Sequence, residues 1–492
     1  MARHDIFFLL ALSFLSGIVC AGLGLPLLFS LIPAAIVFAV LSAANTNYAL
    51  ALIAGSLLIA GSLYYFQDDY RYHQALARVP ASGAVQGTIM GDVKRESDYQ
   101  SFYLTTQWGT LAVAAPPSPA YSYGDSLIVA GRILPPSPNY FSRHVVGALR
   151  DPSIRVLSSG NGNRALAFLF GVKNTVRASF DRLLSPLQSA ALFGIMFGVT
   201  ENFPKQFAQA LSVSGLRFIT AIDGLHMQIV LLILFGAFEY LLPKRWAYLL
   251  TFVFVGLFLA MTGFTVSGIR ASLMAGIARL ARETHRVYAP HNALALAALV
   301  LALINPKVLV FDVGFQLSFF AVIAIVYLVP VLRAAVHMSK APGILGWRES
   351  LLITVSAQLA IAPIVIAQFQ SFSLTSFLGS VVIVWTLPFI LTFGFLLALS
   401  SLLFYPLALA LHFVVAPLMD AVIFAVNLSA RLALAFNPAL PYGAVVLYYG
   451  ALIALMYWFY WRQDGAEKQP KKAPAQPEHA PQDTGYTIIE IE

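Results

Sequence analysis

Three short stretches of this sequence place ionisable or amide side chains inside otherwise apolar runs. The first, Ser214 to His226, reads Ser-Gly-Leu-Arg-Phe-Ile-Thr-Ala-Ile-Asp-Gly-Leu-His and carries Arg217, Asp223 and His226. An ionisable group in hydrocarbon costs about 2.5 to 3.5 kcal/mol on insertion scales, so each needs a partner or a task. Asp223 and His226 are three apart and would share one face of a helix. That pair suits a proton relay, a catalytic dyad or a buried ion pair. Gly215 and Gly224 leave a broken or re-entrant helix open beside a continuous one.

The second stretch, Thr262 to Ala275, embeds Arg270 among small residues, with Gly268/Ser272 and Ala271/Ala275 at the spacing that lets helices approach closely. The third, Phe311 to Phe319, puts Asp312, Gln316 and Ser318 at the head of another apolar run, where Asp312 suits a helix cap. Gln358 lies in a later run. A polyanion crossing hydrocarbon needs a hydrated, locally positive route. Arg217 and Arg270 are candidates to meet phosphates on such a route, with Asp223, His226, Gln316, Ser318 and Gln358 lining it. The competing reading pairs both arginines with Asp223, Asp312 or Glu239 and makes them bundle locks.

Metal and thiol chemistry find little support. The nine histidines are scattered, no two within three positions, and the single cysteine, Cys20, lies in the first apolar run. Neither a metal cluster nor an intramolecular disulfide is expected. No catalytic residue and no cofactor is assigned.

The elements that position these residues follow from composition. With 59% hydrophobic and 11% charged residues, against about a quarter charged in soluble domains, the chain reads as a polytopic α-helical membrane protein. Apolar runs recur from Ile6 to Trp461 and suggest roughly ten to twelve spans of about 20 residues. Residues 1–65 form the N-terminal transmembrane helices, in runs at 6–23, 26–43 and 48–65. The first run is too long and too closely followed by others to read as a cleaved signal peptide. Arg3 and the uncharged breaks favour a cytoplasmic N-terminus, which puts residue 66 outside. The net charge of +8 does not decide on nucleic acid, because membrane proteins collect basic residues for topology alone.

Residues 66–165 change character. Expected strands at Ala84–Met90, Phe102–Thr106, Thr110–Ala114, Asp125–Ile133 and Ile154–Leu157 suit an inserted small β-barrel, an OB-like domain outside the membrane. Nine basic residues stand against seven acidic ones there, so no steep positive funnel is visible. Tyr99, Tyr103, Trp108, Tyr121 and Tyr123 either stack on bases or fill the β core; Tyr99, Tyr103 and Trp108 are the candidate DNA contacts. Residues 166–462 form the transmembrane core. It begins with an amphipathic entry helix carrying Phe168, Val172, Val176, Phe180, Leu183 and Leu184 opposite Lys173, Arg177 and Arg182, expected along a membrane surface. Basic stretches at 242–245, 279–286 and 333–348 interrupt the core. Residues 463–492 read as a disordered cytoplasmic tail.

On these motifs the chain resembles the ComEC competence family. Gly224-Leu-His226 matches the end of its signature segment, while Arg217 and Asp223 stand where the family usually has histidine and serine. Thr262-Gly, Arg270-Ala, Ser272, Met274-Ala, Asn305-Pro and Asp312-Val-Gly-Phe-Gln-Leu-Ser-Phe follow in order and spacing, and Gln358-Leu-Ala with Pro363 and Phe369 resembles the next block. Gly124 to Arg132 resembles the late strand of the family's OB-like domain. The resemblance implies an inner-membrane, multi-pass channel that passes single-stranded DNA into the cytoplasm during natural transformation. The chain resembles the short form without the metallo-β-lactamase-like domain. Its implied partners are single-stranded DNA, the lipid bilayer and other uptake proteins: a receptor, a motor and a separate nuclease. It is not expected to be an enzyme. The alternative is a secondary transporter of a small anionic or lipidic solute built on the same broken helices.

Overall fold

Alternation between apolar and polar residues sets the β part of the chain, and long apolar stretches set the rest. The computed structural model describes residues 3–26, 48–95, 98–136, 141, 143–201, 203–222, 224–284, 289–338, 347–369, 372–373, 376–433, 435–436 and 442–467. The expected second apolar run, Asp223, and the tail beyond 467 lie outside them.

Helices α1 (Arg3–Gly22) and α2 (Tyr48–Arg78) pack with their backbones in contact. A Cβ on Gly17 would stand 1.9 Å from the Leu58 carbonyl oxygen, and one on Gly61 2.1 Å from that of Phe14. Only glycine fits at either position. Ser62 Oγ then donates to the Gly17 carbonyl at 2.9 Å across the same seam.

Strands β1 (Ser82–Arg95), β2 (Gln100–Thr106), β3 (Gly109–Ala115), β4 (Ser126–Arg132), β5 (Val145–Arg150) and β6 (Ser153–Ser158) form one sheet in the order β5-β3-β2-β1-β4-β6. The β3–β5 pair is parallel and the other pairs are antiparallel. Beyond β4, Leu134 and Ala148 exchange two backbone hydrogen bonds at 2.8 and 2.9 Å, so β4 and β5 touch. The expected small barrel is thus a six-stranded mixed sheet whose strands β5 and β4 meet at one bridge. Alternate residues, among them Val85, Ile89, Phe102, Leu104, Leu111, Val113, Leu127 and Val129, fill its core. Strand β5 is an addition to the five expected. Its Val-Val-Gly-Ala-Leu-Arg is buried at four of six positions and shows no alternation to read.

The helical core continues through α3 (Arg164–Leu183), α4 (Pro186–Phe197), α5 (Lys205–Val213), a 3₁₀ turn (Arg217–Thr220), α6 (Gly224–Leu241), α7 (Lys244–Met261), α8 (Val266–Glu283) and α9 (Pro290–Ile304). A single turn at Val308–Phe311 leads to α10 (Val313–Ala335), α11 (Trp347–Phe369), α12 (Ser376–Leu403) and α13 (Tyr405–Arg431). Two-residue strands β7 (Phe372–Ser373) and β8 (Ala435–Phe436) pair antiparallel. Helix α14 (Tyr442–Glu467) belongs to a separate unit and continues past 463, where the tail was expected to begin. Among the described residues, six helices are long and apolar enough to cross a membrane, within α2, α7, α10, α11, α12 and α13. Shorter apolar stretches at Ile6–Gly22, Pro186–Phe197, His226–Leu241, Pro290–Ile304 and Gly443–Phe459 match further expected runs.

Helices α3 and α4 form an antiparallel hairpin. Lys173 Nζ lies 6.0 Å from the ring centres of both Phe193 and Phe197, Arg177 stands 5.1 Å over Phe193, and Ser189 Oγ donates to Asp181 at 2.6 Å. This corrects the expected two-sided entry helix. Lys173, expected on its polar face, is buried and pairs with Asp92 at 2.8 Å, whereas Phe168, expected on its apolar face, is exposed. Val176, Phe180 and Leu183 pack into the core of the protein.

The β sheet is fixed to the helices by buried polar contacts. Lys307, shortly before α10, pairs with Asp69 of α2 at 2.9 Å and sits 3.7 Å over the Tyr72 ring. Tyr72 Oη donates to the Val145 carbonyl at 2.8 Å. His144 Nε2 meets Asp68 at 3.0 Å, its Nδ1 lies 3.3 Å from Asn305 Nδ2, and Phe141 packs edge-on against Phe311. Lys307→Met should therefore leave Asp69 without its nearest cation and cost about 3 kcal/mol, the lower end for a broken buried pair because Asp69 is partly exposed. Thermal unfolding in detergent checks this, and an unchanged midpoint would contradict it.

Candidate functional site

The central polar residues are positioned by a broken stretch of backbone. Helix α4 starts on a capping box between Ser185 and Gln188 with Pro186 in its first turn, and it stops at Gly198 in the left-handed conformation (φ 72°). Its 12 residues give about 18 Å, short of the roughly 30 Å of hydrocarbon. Residues 189 to 197 are all buried. After α5 the chain turns at Gly215 (φ 72°), makes the 3₁₀ turn, and resumes as a helix at Gly224. Of the two alternatives left open by the sequence, the broken one is observed.

Arg270 lies about one turn into α8, which Thr265 caps by accepting from Gly268 N. Gly268 lets Leu259 of α7 pack close, since a Cβ there would stand 2.7 Å from Leu259 Cδ2 and push it aside. The small residues thereby bring α7 and α8 together. Arg270 is 5% exposed. Its Nε donates to Ser318 Oγ of α10 at 2.6 Å, its Nη1 lies 3.6 Å from Met274 Sδ, and its guanidinium stands 5.7 Å over the Phe319 ring. A Cβ on Gly224 would lie 3.5 Å from Arg270 Nη2, so the start of α6 closes on the same group. Three helices, α6, α8 and α10, converge at this guanidinium.

The neighbouring residues divide between support and exposure. Asp312 caps α10, accepting from Phe315 N at 2.7 Å, and Gln316 Nε2 donates to the Val310 carbonyl at 2.6 Å. Both hold the head of α10 in place. His226 is buried at the start of α6, while Arg217 is exposed on the 3₁₀ turn. Gln358 is half-buried in α11, which packs on α10. Asp223 is outside the described residues. Glu239, an expected partner for the arginines in the bundle-lock reading, lies 3.9 Å from Lys244 instead. Among the described residues, no group of three His, Cys, Asp or Glu side chains could hold a metal ion.

The aromatic residues of the β domain also divide. Tyr121 is buried, and burial pushes its phenol above the ordinary value; Trp108 packs against the core. Tyr123 packs edge-on against Phe170 and accepts from Asn163 N at 3.1 Å. Tyr99 is exposed. Tyr103 points out of the sheet, with Arg143 donating to its hydroxyl at 2.8 Å and lying 5.3 Å over its ring. Of the three candidate DNA contacts, Tyr99 and Tyr103 face outward and Trp108 does not.

Sequence reasoning missed Arg143 and the ion pairs that seat the β domain. Lys94 pairs with Glu201 at 2.6 Å, and Lys205 with Asp98 at 2.9 Å. Asp68, Asp69 and Lys307 are legible in the sequence only as charges flanking apolar runs, which topology alone explains.

A multi-pass membrane protein with a soluble β domain seated on broken, polar-centred helices is the class these features define. The model of the Competence protein family matches residues 195–462, more than half of the chain, and the chain belongs to that family. A similar curated protein is ComE operon protein 3 of Bacillus subtilis (strain 168), 27% identical over 197 residues. That alignment covers 40% of this chain and 24% of the relative, so this chain matches about a quarter of the relative's length. No solved structure matches.

Ser318→Ala should remove a hydrogen bond to a buried cation and cost about 1.5 to 3 kcal/mol. Ser318→Thr, which keeps the hydroxyl, should restore it. Detergent unfolding midpoints check both, and a stable Ser318→Ala protein would show that Arg270 does not depend on this oxygen.

Proposed function

We propose that this protein passes one strand of DNA across the inner membrane into the cytoplasm during transformation. The observation that carries the proposal is membership of the Competence family through a region that contains Arg270, held by three helices. A guanidinium there supplies the fixed positive charge that a phosphodiester chain needs where water is scarce. Gln316 and Ser318 offer neutral polar groups on α10, and Gln358 offers one on α11, which packs on α10. His226 adds an ionisable group at the start of α6, and Arg217 adds an exposed cation on the 3₁₀ turn that precedes it.

Orientation supports the same reading. Helices α8 and α10 run parallel, joined near their starts by Arg270–Ser318, and the residues before α10 contact the β domain. The far ends carry Arg279, Arg282 and Arg333, and Lys244 and Arg245 begin α7 beside them, with Tyr248 hydrogen-bonded to Glu283. Basic residues gather at the end away from the β domain, which the positive-inside rule makes cytoplasmic. The β domain then lies outside, as an OB-like receiver with the outward-facing Tyr99 and Tyr103 as the candidates for base stacking. The reaction is transport of the strand.

A reporter fused near Ser118 should read as extracytoplasmic and one fused near Arg245 as cytoplasmic; the reverse would remove the β domain from the entry side. Arg270→Gln should insert at normal abundance and take up DNA at less than about a tenth of the normal rate, because an amide cannot offset phosphate charge. Normal uptake at normal abundance would refute the role given to Arg270, and loss of the protein from the membrane would make it a bundle lock.

A further inference from the structure

Two of the ion pairs that seat the β domain differ from the others in exposure. Lys307 is buried against Asp69, and Lys173 is buried against Asp92, where it also donates to the Met261 carbonyl at 3.2 Å. Lys94 and Lys205, by contrast, are 53% and 83% exposed. Their partners, Glu201 and Asp98, lie on opposite sides of the same junction. Glu201 stands in the loop between α4 and α5 and Lys205 opens α5, whereas Lys94 and Asp98 flank the turn from β1 to β2. The pairing of β1 with β2 shifts register between Met90 and Lys94, and Gly91 adopts φ 79°, so this end of the strand pair departs from the regular sheet. Among the described residues, Glu201 Oε2 is buried with no hydrogen-bond partner, so the carboxylate meets only part of its bonding capacity in this arrangement.

We propose that Lys94 and Lys205 are a masked phosphate-binding pair for the backbone of an arriving single strand, with Glu201 and Asp98 as its internal competitors. The proposal rests on the DNA-uptake reading above. Each lysine is exposed enough to be reached by an incoming phosphate, and each already holds an anionic oxygen, at 2.6 Å for Lys94 and 2.9 Å for Lys205. A phosphodiester chain brings successive negative charges to both lysines at once and displaces the two carboxylates together. Release of Lys94 and Asp98 frees the end of the β1–β2 pair beside Tyr99, while the buried Lys173–Asp92 pair keeps its base attached. The Lys205–Asp98 pair is exposed on both sides, so it contributes little to stability, is screened by salt and suits a contact that must exchange. Lys94 is the exposed half of its pair, and Glu201 stays buried behind it.

The test is binding of a fluorescein-labelled oligothymidylate to the full-length protein in lipid nanodiscs, measured across a salt series. Lys94→Gln with Lys205→Gln should weaken binding and lower the slope of log affinity against log salt by about 1.4, since each phosphate neutralised on a single strand adds about 0.7. Asp98→Asn with Glu201→Gln should tighten binding at least threefold at low salt. An unchanged slope in the first variant, or unchanged affinity in the second, overturns the proposal, with unfolding midpoints confirming that both variants remain folded. A second readout separates this from failure of the uptake reading: maleimide labelling of Ser101→Cys, which faces Lys94 in the β1–β2 register and leaves both carboxylates in place, in a Cys20→Ser background with and without oligothymidylate. Salt-dependent labelling with no oligothymidylate binding by any variant would leave an exchangeable latch but refute its ligand and the uptake reading together. Labelling insensitive to both salt and oligothymidylate would refute the latch itself.

Discussion

Backbone that leaves the helix inside a membrane-spanning bundle must find its hydrogen bonds within the protein, because lipid offers none. The rest of this structure is arranged around that requirement. Between Phe197 and Gly224 the chain breaks repeatedly, and its amides are met locally: Gly198 N donates to Gly194, Ser214 N to Ala210, Leu216 N to Leu211 and Ala221 N to Phe218. Side chains from α3, α12 and α13 seal the broken stretch, with Leu192, Met196, Leu216, Ile390 and Val422 in one continuous core. A straight helix would need none of this wrapping. The break leaves the start of α6 beside the Arg270 guanidinium.

The β domain is attached by the same logic applied at the membrane boundary. Lys307 and Lys173 are buried and hold carboxylates from α2 and β1, while the rings of Tyr72, Phe193 and Phe197 cover their charge. Such pairs fix geometry more than they add stability, since desolvation offsets much of the Coulomb gain. Their consequence is positional. The outward face of β2, with Tyr103, is held in a defined relation to the α3–α4 hairpin and to the head of α10.

Much of this is legible in the sequence. Composition alone points to the membrane class, and the change of character along the chain flags five of the six strands. Helix α2 nevertheless runs on to Arg78, well past the expected boundary at 66, before the first strand begins at Ser82. Arg270, Asp312, Gln316 and Ser318 stand out because polar groups in apolar runs need reasons, and Arg270 and Ser318 do meet, while Asp312 and Gln316 brace the helix around them. What escapes is long-range pairing. Lys173 falls on a polar face by helical periodicity, which carries no information about Asp92, far away in sequence, on the other side of the junction. Strand β5 escapes because burial of both faces erases alternation. Trp108 and Tyr121 look like available aromatics in a polar stretch, though their neighbours in the sheet turn them inward.

The central claim is that a DNA strand travels past the Arg270 centre. It is tested most directly by stalling a strand in transit with a bulky protein at its trailing end and irradiating protein that carries a photoreactive residue at one chosen position. The account predicts DNA adducts from positions 316 and 358 and none from Phe413 or Phe424, which are exposed on the outside of α13. Adducts from the α13 positions with none from 316 and 358 would contradict it, because the strand would then cross by a route that never meets Arg270.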